Sequence, residues 1–218
     1  MAAQQVNVAT TAVAPRKPGR PPRSDQERAA QRARLLDGAM GAIRKDGPDL
    51  SIDDLAAAAG VSKPVLYDEF GGKLGLADAM AVVLAQNAER AVLEQLSDGP
   101  GIDAETGVRL AVTALIDLIA AEPNIYAFLV RSMRSTDRGF LDNALVREMH
   151  ARATLVVRLL APDVDLSTLS VLTDGLFGFL FAAVESWQTT KKPSKAKLVD
   201  GLTRIIVTGL ETAAVAGF

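Results

Sequence analysis

The sequence predicts an all-α protein of about nine helices, in which a small N-terminal helical unit precedes a larger helical bundle. Hydrophobic residues make up 49% of the 218 residues and aromatic residues only 5%, which favours helices rich in Ala, Leu and Val over a β-sandwich. No stretch of useful length alternates apolar and polar residues as a half-buried strand does. Residues that start helices (Ser, Asp) and residues that end them (Gly, Pro) recur at helical intervals.

The first helix is predicted to begin at Ser24 and to end near Lys45. Ser24 and Glu27 have the spacing of a capping box, in which each residue bonds to the backbone N–H of the other. Asp46-Gly47-Pro48 then ends the helix. Its buried stripe is predicted to consist of Ala33, Leu36, Met40 and Ile43.

The stretch Ser51 to Lys73 predicts a helix-turn-helix. Ser51 and Asp54 form a second capping box, and Gly60 has the position of a residue that ends a helix in a left-handed conformation. Ser62 then caps another short helix, whose first turn holds Pro64 at no hydrogen-bonding cost. Leu66 and Phe70 face inward on this second helix, while Lys63, Val65 and Tyr67 face outward. A helix this short and exposed fits the major groove of DNA.

This segment resembles the DNA-binding signature of the TetR (tetracycline-repressor) family of transcriptional regulators. Many residue identities at fixed offsets carry the resemblance: Leu55-Ala56, Ala59-Gly60-Val61-Ser62-Lys63, Leu66-Tyr67, Phe70 and Lys73. With the preceding helix they cover roughly a fifth of the chain, and the later helices resemble the family only in length, number and apolar character. The alternative is a helical hairpin that merely packs against the rest of the protein.

The resemblance implies a set of DNA contacts. Lys63 would donate to guanine, Val65 would touch a thymine methyl group, and Tyr67 would bind a phosphate. The serines at the two helix starts and the lysine that opens the next helix would hold further phosphates. The predicted DNA-binding residues are Ser51, Ser62, Lys63, Pro64, Val65, Tyr67 and Lys73.

Two features depart from the family pattern. Many relatives have a glycine and a hydroxyl residue where this chain has Pro64-Val65, so two polar groups are absent. Asp68 and Glu69 also place carboxylates beside the reading helix, where they would repel phosphates unless they are turned away or accept a hydrogen bond from a cytosine amino group. Affinity for DNA must therefore come partly from other residues.

Residues 1–23 are predicted to be a disordered, basic, Pro-rich arm. Residues 1–34 hold seven Lys or Arg against two Asp or Glu, whereas the whole chain has a net charge of −2. Proline at this density prevents a helix, and an extended cationic chain fits the minor groove of DNA. The predicted minor-groove residues are Arg16, Lys17, Arg20 and Arg23. The alternative is a solubilising tail that contacts phosphates loosely or contacts nothing.

The rest of the chain is predicted to form long helices. Their predicted limits are about 74–96, 103–121, 124–133, 140–160, 166–187 and 195–215. The breaks between them contain Gly, Pro or clusters of polar residues. We therefore expect three parts: the arm (1–23), a helix-turn-helix DNA-binding domain (24–73), and a ligand-binding and dimerisation domain (74–218).

The helix over residues 166–187 is apolar around its whole axis, and such a helix is buried on all sides. Glycines within it favour close approach of a neighbouring helix. The resemblance implies a homodimer held by the last two helices of each subunit; the alternative is a central helix of a monomeric bundle. The predicted interface residues are Gly175, Phe177, Gly178 and Phe181.

The resemblance also implies that the bundle binds a small-molecule effector. The excess of apolar over polar residues suggests a hydrophobic or amphipathic molecule, such as an acyl chain, a sterol-like molecule or an aromatic compound. The predicted lining residues are Tyr126, Phe128, Arg131, Met133 and Trp187.

Several classes of function lack the residues they need. The chain has no Cys, and its single histidine, His150, stands beside arginines, as a surface residue does. No cluster has the spacing of a metal site and no nucleophile–base pair is visible, so we expect no cofactor, no metal and no enzymatic activity. The N-terminus lacks the features of a secretory signal and no run is long enough to span a bilayer, so a cytoplasmic protein without a membrane partner is expected.

Together these features predict a ligand-responsive transcriptional regulator. It would be a repressor that binds a palindromic operator in double-stranded DNA as a dimer and is released by a hydrophobic effector. One alternative is an architectural DNA-binding protein that works without an effector. Another is a helical protein that binds small molecules or lipids and whose N-terminal unit contacts protein.

Overall fold

The computed structural model describes residues 24–96, 103–134, 144–160 and 166–216. These residues form nine helices and no strand, which confirms the all-α prediction for the described part of the chain. The helices are α1 (Asp25–Asp46), α2 (Ile52–Ala58), α3 (Lys63–Phe70), α4 (Lys73–Leu96), α5 (Ala104–Ala121), α6 (Pro123–Arg134), α7 (Ala144–Leu160), α8 (Leu166–Thr190) and α9 (Lys195–Ala216).

The ends of the first helices have the predicted local causes. At Ser24 the backbone N–H donates to the Glu27 carboxylate at 2.8 Å, while the Ser24 hydroxyl accepts from the Glu27 N–H at 3.2 Å. Gly60 and Gly71 end α2 and α3 with φ of 71° and 73°, a left-handed conformation that glycine adopts without a steric penalty. The boundaries therefore follow from local hydrogen bonds and backbone freedom.

Helices α1 to α3, called here the head, share a core with later helices, mainly α4 and α6. The core of the head contains Ile43, Leu55, Leu66 and Phe70, but Ala33 is exposed, contrary to the prediction. The same cluster continues into α4 and α6, with side chains from Leu76, Met80, Ile125, Phe128 and Leu129. The packing of the head therefore continues past residue 73 into α4 and α6.

Helices α5 to α9, called here the body, contain a second core. It is built mainly by α5 and α9, which lie against each other, together with Tyr126 of α6 and Val184 of α8. Helix α4 contacts α5, α6 and α7 and also reaches α1 and α3. It is thus the long connection between the head and the body.

Helix α8 is not buried on all sides within the chain. Phe177 and Val184 point into the body, but Val171 is 71% exposed and Phe179 is 41% exposed. Gly175 is also exposed, and apart from the adjoining backbone of α8 no atom of the described residues lies within 4 Å of the position that a Cβ would take at Gly175 or Gly178. Since α8 packs against α7 on one side, its opposite apolar side lacks cover from the described part of the chain.

Among the described helices, no single one is long and apolar enough to cross a lipid bilayer. The segments Glu105–Ala121 and Pro123–Ser132 meet that test of length and composition only as a pair, and they are bent by 95°.

The turn from α3 into α4 leaves no room for a side chain at Gly75. A Cβ there would fall far inside van der Waals contact with the backbone carbonyl oxygen of Phe70. We expect Gly75→Ala to lower the free energy of unfolding by at least about 2 kcal/mol, because backbone must move to relieve this overlap. Chemical denaturation measures the change.

Gly41 provides a matched control for this substitution. It lies in α1, is exposed, and has no atom within 4 Å of a built Cβ. Gly41→Ala should raise the free energy of unfolding by about 0.5–1 kcal/mol, since alanine is the better helix former. Equal effects of the two substitutions would contradict the proposed close contact at Gly75.

Candidate functional site

The predicted reading surface is exposed on the head. Ser62, Lys63 and Pro64 are exposed at the start of α3, and Tyr67 is 47% exposed one turn later. Val65 is half-buried and packs against the core of the head, so it presents less of its side chain than predicted. The exposed side chains of α3 thus lie at its N-terminal end and along one side.

Tyr67 is held by the turn that follows α3. A Cβ at Gly72 would lie 3.0 Å from the Tyr67 ring, so the ring packs directly over this glycine. Gly72 has a φ of 110°, which also favours glycine. The turn therefore fixes the direction in which the phenol projects.

Lys63 is already paired with a carboxylate of the neighbouring helix. Its ammonium donates to Asp53 of α2 at 2.9 Å, and this hydrogen bond raises the pKa of Lys63. Both side chains are solvent-exposed, so water and salt weaken the pair. An anionic partner such as DNA would have to compete with Asp53 for this cation.

The two serines at the helix starts differ in what they can offer to a ligand. The Ser51 hydroxyl donates to Asp54 at 2.6 Å and accepts from the Asp54 N–H, within the predicted capping box. These hydrogen bonds lower the pKa of Asp54. Ser62 takes the N-cap position of α3, but its side chain makes no capping hydrogen bond. The hydroxyl of Ser62 is therefore better placed than that of Ser51 to bind a phosphate.

Glu69 is turned away from the reading surface by Arg32 of α1. The Arg32 guanidinium donates to the Glu69 carbonyl oxygen at 2.5 Å and to its carboxylate at 3.2 Å, and it lies 4.4 Å from the centre of the Phe70 ring. Asp68 remains exposed. One of the two carboxylates beside the reading helix is thus neutralised, and Arg32 joins α1 to α3.

Lys73 does not have the position of an outward phosphate contact, which the resemblance implied. Its ammonium donates to the carbonyl oxygen of Leu50 at 2.7 Å and lies 5.1 Å from the centre of the Phe128 ring. The side chain therefore points into the junction between the head and α6. The physical reason is that a carbonyl oxygen and an aromatic face both attract an ammonium group there.

Helix α6 is attached to the head at both of its ends. At its N-terminal end, Arg44 donates to the Glu122 carboxylate through two nitrogens at 2.8 to 3.0 Å, which raises the pKa of Arg44. Asn124 donates to the Arg44 carbonyl oxygen at 3.0 Å. At its other end, Arg131 pairs with Asp49. A movement of α6 would therefore strain contacts to the head.

The predicted effector residues do not lie in one site. Tyr126 lines an interior cavity of the body, whereas Phe128 and Arg131 line a cleft of about 440 Å³ between head and body. Trp187 is buried elsewhere on α8 and donates to the Pro193 carbonyl oxygen at 2.7 Å. The side chain of Met133 lies outside the described residues. Helical spacing on α6 does not decide which neighbour each of its faces meets.

The interior cavity is apolar and nearly closed. Its volume of about 10 Å³ is close to the minimum for one water molecule. Five helices, α4 to α8, contribute to its lining. The lining residues are Leu84, Leu115, Leu118, Ile119, Tyr126, Met149, Phe177 and Phe181. Phe177 and Phe181, which the sequence analysis assigned to a dimer interface, therefore face the interior, because their side of α8 is the side that packs on the body.

An open cleft lies on the outer side of the same part of α8. Its volume is about 590 Å³ and its walls are apolar apart from a few side chains. It is lined by Gly178, Phe181, Ala182, Glu185, Ser186 and Thr189. Phe181 lines both the interior cavity and this cleft, so the two spaces are neighbours at this residue.

Four residues important to these sites were not predicted as site residues, namely Arg32, Arg44, Asp53 and Glu185. Arg32 and Arg44 meet partners 37 and 78 residues away in the chain, and no local spacing signals such a pair. The cations Arg16, Lys17, Arg20 and Arg23 of the predicted arm lie outside the described residues.

Known proteins with similar sequences are transcriptional regulators. Residues 35–80 match the family model described as bacterial regulatory proteins, tetR family. An uncharacterized HTH-type transcriptional regulator of Mycobacterium tuberculosis strain H37Rv is 27% identical over 197 residues, which cover 89% of this chain and 83% of that protein. The sequence similarity thus extends well beyond the helix-turn-helix.

Solved structures share the fold. The TetR family repressor AlkX from Dietzia sp. strain DQ12-45-1b, implicated in biodegradation of n-alkanes, has a TM-score of 0.61 and 19% identity, covering 84% of this chain and 96% of that chain. RolR in complex with resorcinol has a TM-score of 0.62 and 18% identity, covering 84% and 90%. The family match over residues 35–80 and the geometry of the head identify the head as a helix-turn-helix of the TetR family of transcriptional regulators.

Proposed function

We propose that this regulator is a repressor that binds a palindromic operator as a homodimer and leaves it when the body binds a hydrophobic effector. The observation that carries the proposal is that the exposed start of α3 lies on the head while the body contains a nearly closed apolar cavity. The first feature fits DNA, and the second provides an apolar lining against which a hydrophobic ligand would pack once the cavity is enlarged. The remaining steps concern the dimer, the DNA contacts and their coupling.

The proposed dimer forms through the uncovered side of α8 together with α9. Val171 and Phe179 on α8 and Ile205 on α9 are large apolar side chains left exposed in the single chain. Gly175 and Gly178 let another helix approach closely, whereas the inward side chains of Phe177 and Phe181 stay within the subunit. Burial of this apolar side is the driving force for association.

The proposed DNA contacts come from the exposed residues of the head. Ser62, Lys63 and Tyr67 approach phosphates and base edges, and Pro64 and Val65 supply apolar contact. Ser51 contributes through the start of α2, where its capping box with Asp54 also orders the helix. Lys73 has a different role, since it fixes the loop before α2 to α6.

The proposed coupling runs through α6. Tyr126 reaches the interior cavity, while Arg131 and Glu122 at the two ends of α6 hold the head. A ligand that enlarges the cavity displaces Tyr126 and thereby shifts the contacts of α6 with the head. Such a ligand lowers DNA affinity only to the extent that it prefers the displaced state.

Selection of bound fragments from random duplex DNA tests the regulator. We expect a palindromic site whose half-sites are centred about one helical turn, roughly 34–36 Å, apart, because two heads related by a two-fold axis meet successive major grooves. Recovery of random fragments with equal salt sensitivity would favour an architectural protein, and no recovery would contradict DNA binding altogether.

A dimer-face variant sharpens this selection. Phe179→Glu places a charge in the proposed interface and should prevent dimer formation. Selection with this variant should therefore yield single half-sites and no palindrome. Leu93→Glu, at an exposed leucine of α4, is the matched control and should still select the palindrome. Sedimentation velocity on both variants checks that the loss of the palindrome accompanies a loss of dimer.

Asp53→Asn should strengthen operator binding. Removing the carboxylate frees Lys63 for DNA and removes a negative charge near the phosphates, so affinity rises about fivefold at low salt and the salt slope steepens by about 0.9. Fluorescence anisotropy across a salt series measures both quantities. Asp117→Asn, which breaks a similar Lys pair on the body, is the control. A weaker or unchanged affinity for Asp53→Asn would show that Asp53 does not restrain Lys63.

Removal of residues 1–23 should weaken operator binding and flatten its salt dependence. Each arm cation that neutralises a phosphate contributes about 0.9 to the salt slope, and the arm has Arg16, Lys17, Arg20 and Arg23. A full-length variant with these four residues changed to Gln separates charge from chain length. An unchanged slope in both proteins would rule out the arm as a DNA contact.

A further inference from the structure

We propose that Glu185 and Tyr126 form the recognition site for the effector's polar end, and that the effector is an apolar molecule carrying a hydroxyl group. This inference rests on the proposed effector response and names the chemistry of the ligand. It follows from one hydrogen bond at the boundary between the interior cavity and the cleft on α8.

The pair joins the linings of the two spaces. Tyr126 lines the interior cavity and Glu185 lines the cleft, and the Tyr126 hydroxyl donates to the Glu185 carboxylate at 2.6 Å. Phe181 borders both spaces, and its ring centre lies 6.3 Å from that of Tyr126. A rotation of the Phe181 side chain would therefore be able to connect the cleft and the cavity next to this hydrogen bond.

The shape of the joined space determines where each part of a ligand lies. The interior side is lined by apolar side chains such as Leu84, Leu115 and Ile119. An alkyl chain or ring bound there gains free energy by leaving water. The polar end of the molecule then remains at the boundary, next to Tyr126 and Glu185, where half-buried polar groups need hydrogen-bond partners.

The chemistry of the pair selects a hydroxyl group. A carboxylate accepts hydrogen bonds and donates none, whereas a phenol hydroxyl both donates and accepts. A ligand hydroxyl inserted between them would donate to Glu185 and accept from Tyr126, so each group keeps its bond. A ligand carboxylate would bring a second negative charge to Glu185 without a proton to share, and the two charges would repel in a partly water-excluded site.

The uncovered side of α8 completes the site in the dimer. Gly178 borders the cleft and also belongs to the proposed dimer face. A second subunit seated there would cover part of the opening and shield a bound ligand from water.

The fluorescence of Trp187 can report ligand binding at this site. Trp187 is the single tryptophan of the chain, it is buried, and it lies two residues beyond Glu185 on α8. We would titrate the full-length protein without DNA with 1-octanol and with octanoate, which share a chain length and differ in the polar end. Fluorescence of Trp187 gives the dissociation constant for each.

The expected result is a preference for 1-octanol over octanoate of at least about tenfold, because the site pairs a hydroxyl and repels a carboxylate. Glu185→Gln should reduce this preference to less than about threefold, since an amide donates to a carboxylate as well as accepting from a hydroxyl. Glu94→Gln, an exposed glutamate on α4, is the matched control and should keep the preference. Phe181→Ala, which removes the ring between the two spaces, should tighten 1-octanol binding.

Three results would overturn the inference: octanoate binding as tightly as 1-octanol, a preference that survives Glu185→Gln, or no binding of either probe to the wild-type protein and to Phe181→Ala. Because no DNA is present, the outcome is separate from that of the operator selection. If the selection yields a palindromic operator but the protein does not prefer 1-octanol, the proposed repressor function stands and the proposed recognition site is wrong. If the protein prefers 1-octanol but the selection yields no operator, the recognition site stands and the proposed repressor function is wrong.

Discussion

Ile125, Phe128 and Leu129 of α6 pack into the core of the head, while Tyr126 of the same helix packs into the core of the body. A helix shared by two cores cannot move relative to one without disturbing the other, because close-packed interiors have few voids to absorb a shift. The ion pairs of Glu122 and Arg131 with the head reinforce this link at the two ends of α6. The position of the head therefore depends on how α6 is packed.

The polar contacts of the head stabilise the helix-turn-helix, but they also occupy groups that could otherwise bind DNA. Asp53, Asp54 and Glu69 each hold a group that orders the helix-turn-helix, namely Lys63, Ser51 and Arg32. These contacts reduce the positive charge presented by the reading surface. Most of them are exposed and hence weak, so a polyanion such as DNA can replace them at small cost. We therefore expect the cations of the head to exchange their carboxylate partners for DNA phosphates when the head binds DNA.

The body contains a small, nearly closed apolar cavity. Its lining side chains come from α4 to α8, so it forms where several helices meet and not along any one of them. Opening such a space costs packing contacts, and a ligand must restore them with its own apolar surface. The lining therefore limits the size of the ligand and requires it to be apolar. Glu185 and Tyr126, at the edge of the cavity, are the groups proposed to recognise the polar end of the ligand.

The sequence by itself determined the features that depend on near neighbours in the chain. Capping boxes at Ser24 and Ser51, left-handed glycines at positions 60 and 71, and apolar residues at helical spacing predict the helices and their limits, because these interactions span only a few residues. The match of the helix-turn-helix to the TetR pattern is likewise local. These signals predicted the fold class and the family.

Only the tertiary structure decided which side of each later helix faces which neighbour. Phe177 and Phe181 face the interior and Val171 and Phe179 face outward, although α8 is apolar on both sides and its sequence does not distinguish them. The same holds for Lys73, which binds Leu50 and Phe128, and for the pairs Arg32–Glu69 and Tyr126–Glu185. These contacts join residues far apart in the chain, and their geometry is set by how whole helices pack, which no local spacing encodes.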